Sequence, residues 1–162
     1  MNPAPTVRAS FATLAPRLGE VVARFYDALF DADPALRAKF PADMRRQREH
    51  LAAAVAVIVR NLESLDGLEE SLMDLGARHV AFGVVPEHYP VFRDAMLQAL
   101  ARVSGDGWNP LVEDAWRRTL ERICAMMLKG AAAAAIRMAQ TLCPSHAAPR
   151  ATTITSIPPR IG

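Results

Sequence analysis

His79 is the residue whose type and place in this chain most invite chemistry. It continues the stripe Leu68, Leu72, Leu75 and Gly76 at helical spacing, so a helix over 67–82 turns the imidazole the same way as its leucines. Such an imidazole has two readings. It is a core histidine satisfied by one hydrogen bond, or it is a neutral ligand for a metal or cofactor. His50, His88 and His146 make no H-x-x-x-H or H-x-x-E-H pattern with it, whereas zinc wants roughly three or four regularly spaced ligands. A lone imidazole suits haem, whose macrocycle brings the remaining in-plane donors itself. That cofactor needs an apolar slot between helices, an aromatic wall and a few polar groups on the far side.

The elements that must hold such a site read as helical almost throughout. A first helix is expected over 5–15 around Val7, Phe11 and Leu14, and a second over 16–31 with Pro16 in its first turn. Asp33-Pro34 starts a short third helix that ends near Phe40-Pro41. Residues 44–64 form a long amphipathic helix with Gln47, Leu51, Val55, Ile58 and Leu62 on one face. The histidine helix follows, then one over 86–104 opened by Pro86, the turn-rich "SGDGWNP", and a last helix from Pro110 past Trp116, Leu120, Ile123 and Met127. Gly130 is a weak point in that helix. The reading is all-α, with about seven helices and no credible strand except "TTITSI". A domain over 1–140 is followed by a Pro-, Ser- and Thr-rich stretch, 141–162, expected to be a flexible tail.

Composition narrows the classes. The 162 residues suit one domain, about half hydrophobic, with a net charge of +2 and no basic block of the kind that binds nucleic acid. No apolar run approaches the ~20 residues needed to span a bilayer, and no secretory h-region is seen, so the expectation is a cytoplasmic protein with no membrane partner. Cys124 and Cys143 read as incidental thiols, and the absence of C-x-x-C-H excludes covalent haem attachment through that motif.

Four segments, "FYDALFDADPALRAKF" (25–40), "QREHL" (47–51), "LGARHVAFGVVPEHYPVF" (75–92) and "DAWRRTLERI" (114–123), resemble in order and spacing the bacterial globins of the flavohaemoglobin branch and their single-domain relatives. The resemblance covers about residues 6–130. It implies a globin fold around a non-covalent haem b (iron protoporphyrin IX). It implies His79 as the proximal iron ligand, Phe40 as the aromatic stacked on the haem, Tyr26 and Gln47 as the distal tyrosine and glutamine, and Leu51 as the apolar residue above the iron. Arg78 and Val84 match positions near the haem edge. Arg78 is either a propionate partner or a solvated charge. Tyr89 matches a tyrosine on the proximal side.

The pattern has one gap. The family's proximal glutamate falls, counting from Trp116, on Ala131. The network that would raise the electron-donating power of the imidazole is therefore incomplete. No G-x-G-x-x-G fingerprint follows the globin body, so turnover would need a separate reductase. His50, one turn beyond Gln47, is either an exposed helix residue or an internal sixth ligand. The function implied first is reversible O2 binding, because a phenol and an amide can donate hydrogen bonds to a ligand that gains negative charge. The alternatives are NO dioxygenation, which converts NO and O2 to nitrate, and a haem-based gas sensor. NO and CO are further candidate ligands. A helical protein that merely keeps the fold is the remaining reading.

Overall fold

The computed structural model describes residues 1–143, and every element in it is helical. Helix α1 runs Ala4–Leu14, α2 Leu18–Ala32, α3 Arg45–Arg60, α4 Glu69–Ala81, α5 His88–Ser104 and α6 Pro110–Leu142. Among the described residues that makes six α-helices, and a 3-10 segment stands where the other expected helix falls. The short third helix is instead a 3-10 segment, Pro34–Lys39, started by an Asp33 carboxylate that accepts from the Ala35 N–H at 3.1 Å. Pro16 lies in a 3-10 turn, Ala15–Arg17, between α1 and α2, and not in the first turn of α2. "TTITSI" lies outside the described residues, as does most of the expected tail.

The long helix expected over 44–64 ends earlier. The Asn61 side chain donates to the Val57 carbonyl at 2.8 Å, and Ser64 leaves helical geometry at φ −122°, ψ 39°. The chain continues as a 3-10 run, Leu62–Leu68. Its leucines at 62, 65 and 68 recur every third residue, the period at which 3-10 side chains eclipse on one face. Leu62 and Leu65 are buried there.

Phe25, Leu29, Leu36, Leu100 and Val7 are among the largest fully buried side chains, and they pack α2 and α5 into the main core. A second cluster, Leu65, Leu72, Ile123 and Met126, joins α4 to α6. That crossing is close. A methyl group on Gly76 would fall 1.9 Å from the Met127 carbonyl oxygen, and one on Gly130 would fall 1.8 Å from that of Met73. Gly130 is therefore no break in α6: it is where α4 rests on it. Asn109 caps α6 by accepting from the Leu111 and Val112 N–H groups, and the helix then runs 33 residues.

Candidate functional site

The helices enclose an apolar cavity of about 400 Å³, within the size range of cofactor sites. Tyr26, Phe40, Gln47, Leu51, His79, Val84 and Tyr89 all line it. Arg78, the other residue expected there, does not. It is exposed on α4, because one residue along a helix turns a side chain about 100° away from its neighbour. Lys39, which was not among the expected residues, lines the cavity.

His79 sits in the last turn of α4 and is half-buried. Its Nδ1 lies 2.7 Å from the Leu75 carbonyl oxygen. A carbonyl only accepts, so Nδ1 carries a proton, and in the neutral ring Nε2 is left with the free lone pair. The helix then stops in a defined way. Val84 N–H donates to the His79 carbonyl at 3.1 Å, Gly83 N–H to the Val80 carbonyl at 2.9 Å, and Gly83 takes φ +76°. This is a Schellman end with glycine at the left-handed position. It brings Val84 back beside His79 on the cavity wall.

Tyr26, on α2, is 3% exposed. Burial pushes its hydroxyl above the usual phenol range, while the Gln47 amide and the Arg48 charge pull the other way. It is a neutral donor at ordinary pH. Its ring is held edge-on to Phe25 at 4.9 Å and to Phe40 at 5.6 Å. Phe40 in turn packs on Phe30 at 5.4 Å. Arg37 fixes this corner: its guanidinium lies over the Phe30 ring and donates to the Phe40, Pro41 and Ala42 carbonyls. Gln47 enters from the first turn of α3, with Leu51 one turn on.

Tyr89, on α5, is 6% exposed, and its hydroxyl has no partner among the described residues. Burial raises its pKa, and the nearby Cys124 adds to the shift. Ala131, where the resemblance would put a glutamate, is buried and carries no carboxylate. Cys124, read from the sequence as incidental, lines the cavity, and burial holds its thiol protonated. Its position was legible: it lies one turn after Leu120 on the stripe that includes Ile123 and Met127. Arg93 lines the same wall but is held by Asp94 at 2.8 Å and Glu121 at 3.5 Å. Among the described residues no cluster of three or more His, Cys, Asp or Glu side chains could hold an ion. The cavity therefore suits a large apolar group that brings most of its own metal donors and needs one imidazole.

Residues 23–127 match the globin family. The chain is 32% identical over 114 residues to a flavohaemoprotein of Deinococcus radiodurans, covering 68% of this chain and 28% of that protein. It is 28% identical over 109 residues to a globin-like protein of Aquifex aeolicus, covering 67% of this chain and 77% of that one. The matched stretch thus spans about a quarter of the flavohaemoprotein relatives. Among solved structures, the fold is similar to an engineered carbene transferase whose Rhodothermus marinus parent carries the name nitric oxide dioxygenase. The TM-score is 0.78 at 22% identity, covering 86% of this chain and 97% of that one. A bacterial globin from Campylobacter jejuni matches with a TM-score of 0.66 at 20% identity, covering 78% and 94%. The chain belongs to the globin family, whose members bind haem.

Proposed function

We propose that this chain holds haem b non-covalently through His79 and binds O2 reversibly on the side of Tyr26 and Gln47. The observation that carries this reading is the His79 ring itself, with Nδ1 tied to the Leu75 carbonyl and Nε2 left as a lone-pair donor in an apolar cavity. Bound haem supplies iron able to take up a diatomic gas. The chain does the rest. The Leu75 hydrogen bond fixes the imidazole tautomer and raises its basicity. Tyr26 stays protonated and, with the Gln47 amide, donates to a ligand that gains negative charge. Phe25 and Leu51 keep that side dry. The Tyr89 hydroxyl, on the wall of the same cavity as His79, is buried with no partner among the described residues, as expected where a site is completed by its cofactor.

The experiment is an absorption series on the purified protein: ferric, then reduced under argon, then exposed to air. A five-coordinate reduced spectrum that becomes a stable oxygenated one is expected. A six-coordinate reduced spectrum would instead indicate an internal ligand such as His50, which also lines the cavity. Replacing Tyr26 with Phe deletes one donor to a charged ligand, worth about 1.5–3 kcal/mol. Stopped flow should then read O2 release roughly ten- to a hundredfold faster; an unchanged rate would remove Tyr26 from the gas site.

A second reading, NO dioxygenation with electrons from a separate reductase, is favoured by the name carried by the Rhodothermus marinus parent protein and by the flavohaemoprotein relatives. Adding NO to the oxygenated protein separates the two. Repeated turnover, with nitrate exceeding the haem when a reductase is also supplied, is the enzyme's signature; one equivalent of nitrate per haem followed by a ferric protein that is not re-reduced is the carrier's.

A further inference from the structure

The cavity wall carries a charge that gas binding does not use. No aspartate or glutamate among the described residues lines it, and Lys39 and Arg93 are its lysine and arginine side chains. The two cations differ in their surroundings. Arg93 is already matched by Asp94 and Glu121. Lys39 has no carboxylate within ion-pairing distance among the described residues.

Lining residues that also face water mark where a cavity opens. Lys39, Pro41, His50 and Phe82 do both. Lys39 ends the 3-10 segment before Phe40, and its side chain reaches the turn that follows Phe82: a methyl group on Gly83 would fall 2.9 Å from the Lys39 Nζ. The ammonium therefore sits between the Phe40 corner and the end of the helix that bears His79. Away from the opening the wall is buried and apolar, with Phe25, Met96 and Trp116. Burying a charge without a partner is costly. An amphiphilic occupant thus goes in with its apolar part towards these residues and leaves its charge where the wall meets water. At that place the protein offers an unmatched positive charge, which suits an anion.

We propose that Lys39 binds a carboxylate of the cavity's occupant, so that it selects a carboxylate-bearing porphyrin and sets which edge of the macrocycle faces water. The inference rests on the haem reading and sharpens it. Iron protoporphyrin IX carries its propionates on one edge, and a charge-assisted hydrogen bond to an ammonium is stronger than one between neutral groups. A lysine acts as a point charge on a flexible stem and follows a carboxylate without demanding a fixed fork geometry. Arg78, to which the resemblance offered this contact, does not line the cavity.

The test compares haem with its dimethyl ester, which keeps the iron and the macrocycle but lacks the free carboxylates. Each is loaded into the natural chain, Lys39→Met and Arg78→Met, and its loss to an excess of apomyoglobin is followed by absorbance. Methionine keeps an unbranched apolar stem and removes the charge. Lys39 is exposed, so the variant should fold, and an unchanged circular dichroism spectrum checks this. Lys39→Met should lose haem roughly threefold to tenfold faster, an effect between that of an exposed ion pair and that of a charge-assisted hydrogen bond. The difference should shrink in molar salt. Loss of the ester should be the same from Lys39→Met as from the natural chain, and Arg78→Met should change neither rate. Equal haem loss from the natural chain and Lys39→Met would overturn the proposal. So would equal acceleration of haem and ester, which would mark Lys39 as packing alone, or faster haem loss from Arg78→Met than from Lys39→Met. A natural chain that takes up neither porphyrin would sink the haem reading itself, and this inference with it.

Discussion

At the scale of single residues, the chemistry depends on which nitrogen of His79 bears a proton. The Leu75 carbonyl decides it, and that acceptor was not legible in the sequence, because any residue at position 75 brings the same backbone oxygen. The side chains were more legible: the segments that resemble globins located Tyr26, Gln47, Leu51 and Tyr89 on the cavity wall. Arg78 was not distinguishable from a solvated charge, and Lys39 carried no signal beyond standing next to Phe40. The chain holds only two tyrosines, Tyr26 and Tyr89, and burial raises both. A raised phenol pKa means that the folded state binds its proton more tightly than the unfolded one. The associated stability is complete below about pH 10, the ordinary phenol value, and is lost as pH rises through the folded value. An ultraviolet phenolate titration of the haem-free chain should show little ionisation at the pH where the denatured chain is half ionised. Coincident curves would mean that neither hydroxyl is buried. Tyr89 gives a second test. A buried, unpartnered hydroxyl costs about 1–3 kcal/mol, so Tyr89→Phe should leave the haem-free chain as stable or more stable in urea. A clear loss would show that the hydroxyl has a partner.

At the scale of elements, helix existence was legible and helix ends were not. Apolar periodicity marked α1 to α6, but the break after Arg60 depended on Asn61 reaching back to Val57, a local competition that periodicity does not register. The leucines at 62, 65 and 68 were the available sign of 3-10 geometry. Gly76 and Gly130 explain how α4 is held. Each lets one backbone lie on the other, and α4 carries His79. Overpacking costs typically about 1–3 kcal/mol, and here a methyl would meet carbonyl groups rather than movable side chains. Gly130→Ala should therefore destabilise the chain by at least about 2 kcal/mol in urea and weaken haem affinity by displacing α4. An unchanged midpoint would contradict the close crossing. Gly83→Ala tests the helix end separately, since φ +76° is strained for alanine. Its cost should be smaller, about 1 kcal/mol, and visible as altered haem uptake because Val84 turns back toward His79.

At the scale of the whole molecule, the cavity is the meeting point of α2 through α6 and the 3-10 segment before Phe40. Helix α1 lines none of it and acts from outside, where Trp116 of α6 donates to Ser10 at 3.2 Å. No helix among the described residues is long and apolar enough to cross a membrane. A cofactor that fills a cavity walled by nearly every element should stabilise all of them together, because it binds the folded state only. The melting temperature should rise on haem loading and rise further with excess haem. The most direct test of the account is the iron–histidine stretching band in the resonance Raman spectrum of the reduced, haem-loaded protein. The account expects the band in the natural chain, its loss in His79→Gly, and its return when free imidazole is added. A band that persists in His79→Gly without imidazole would show that another residue holds the iron, and would contradict the central assignment.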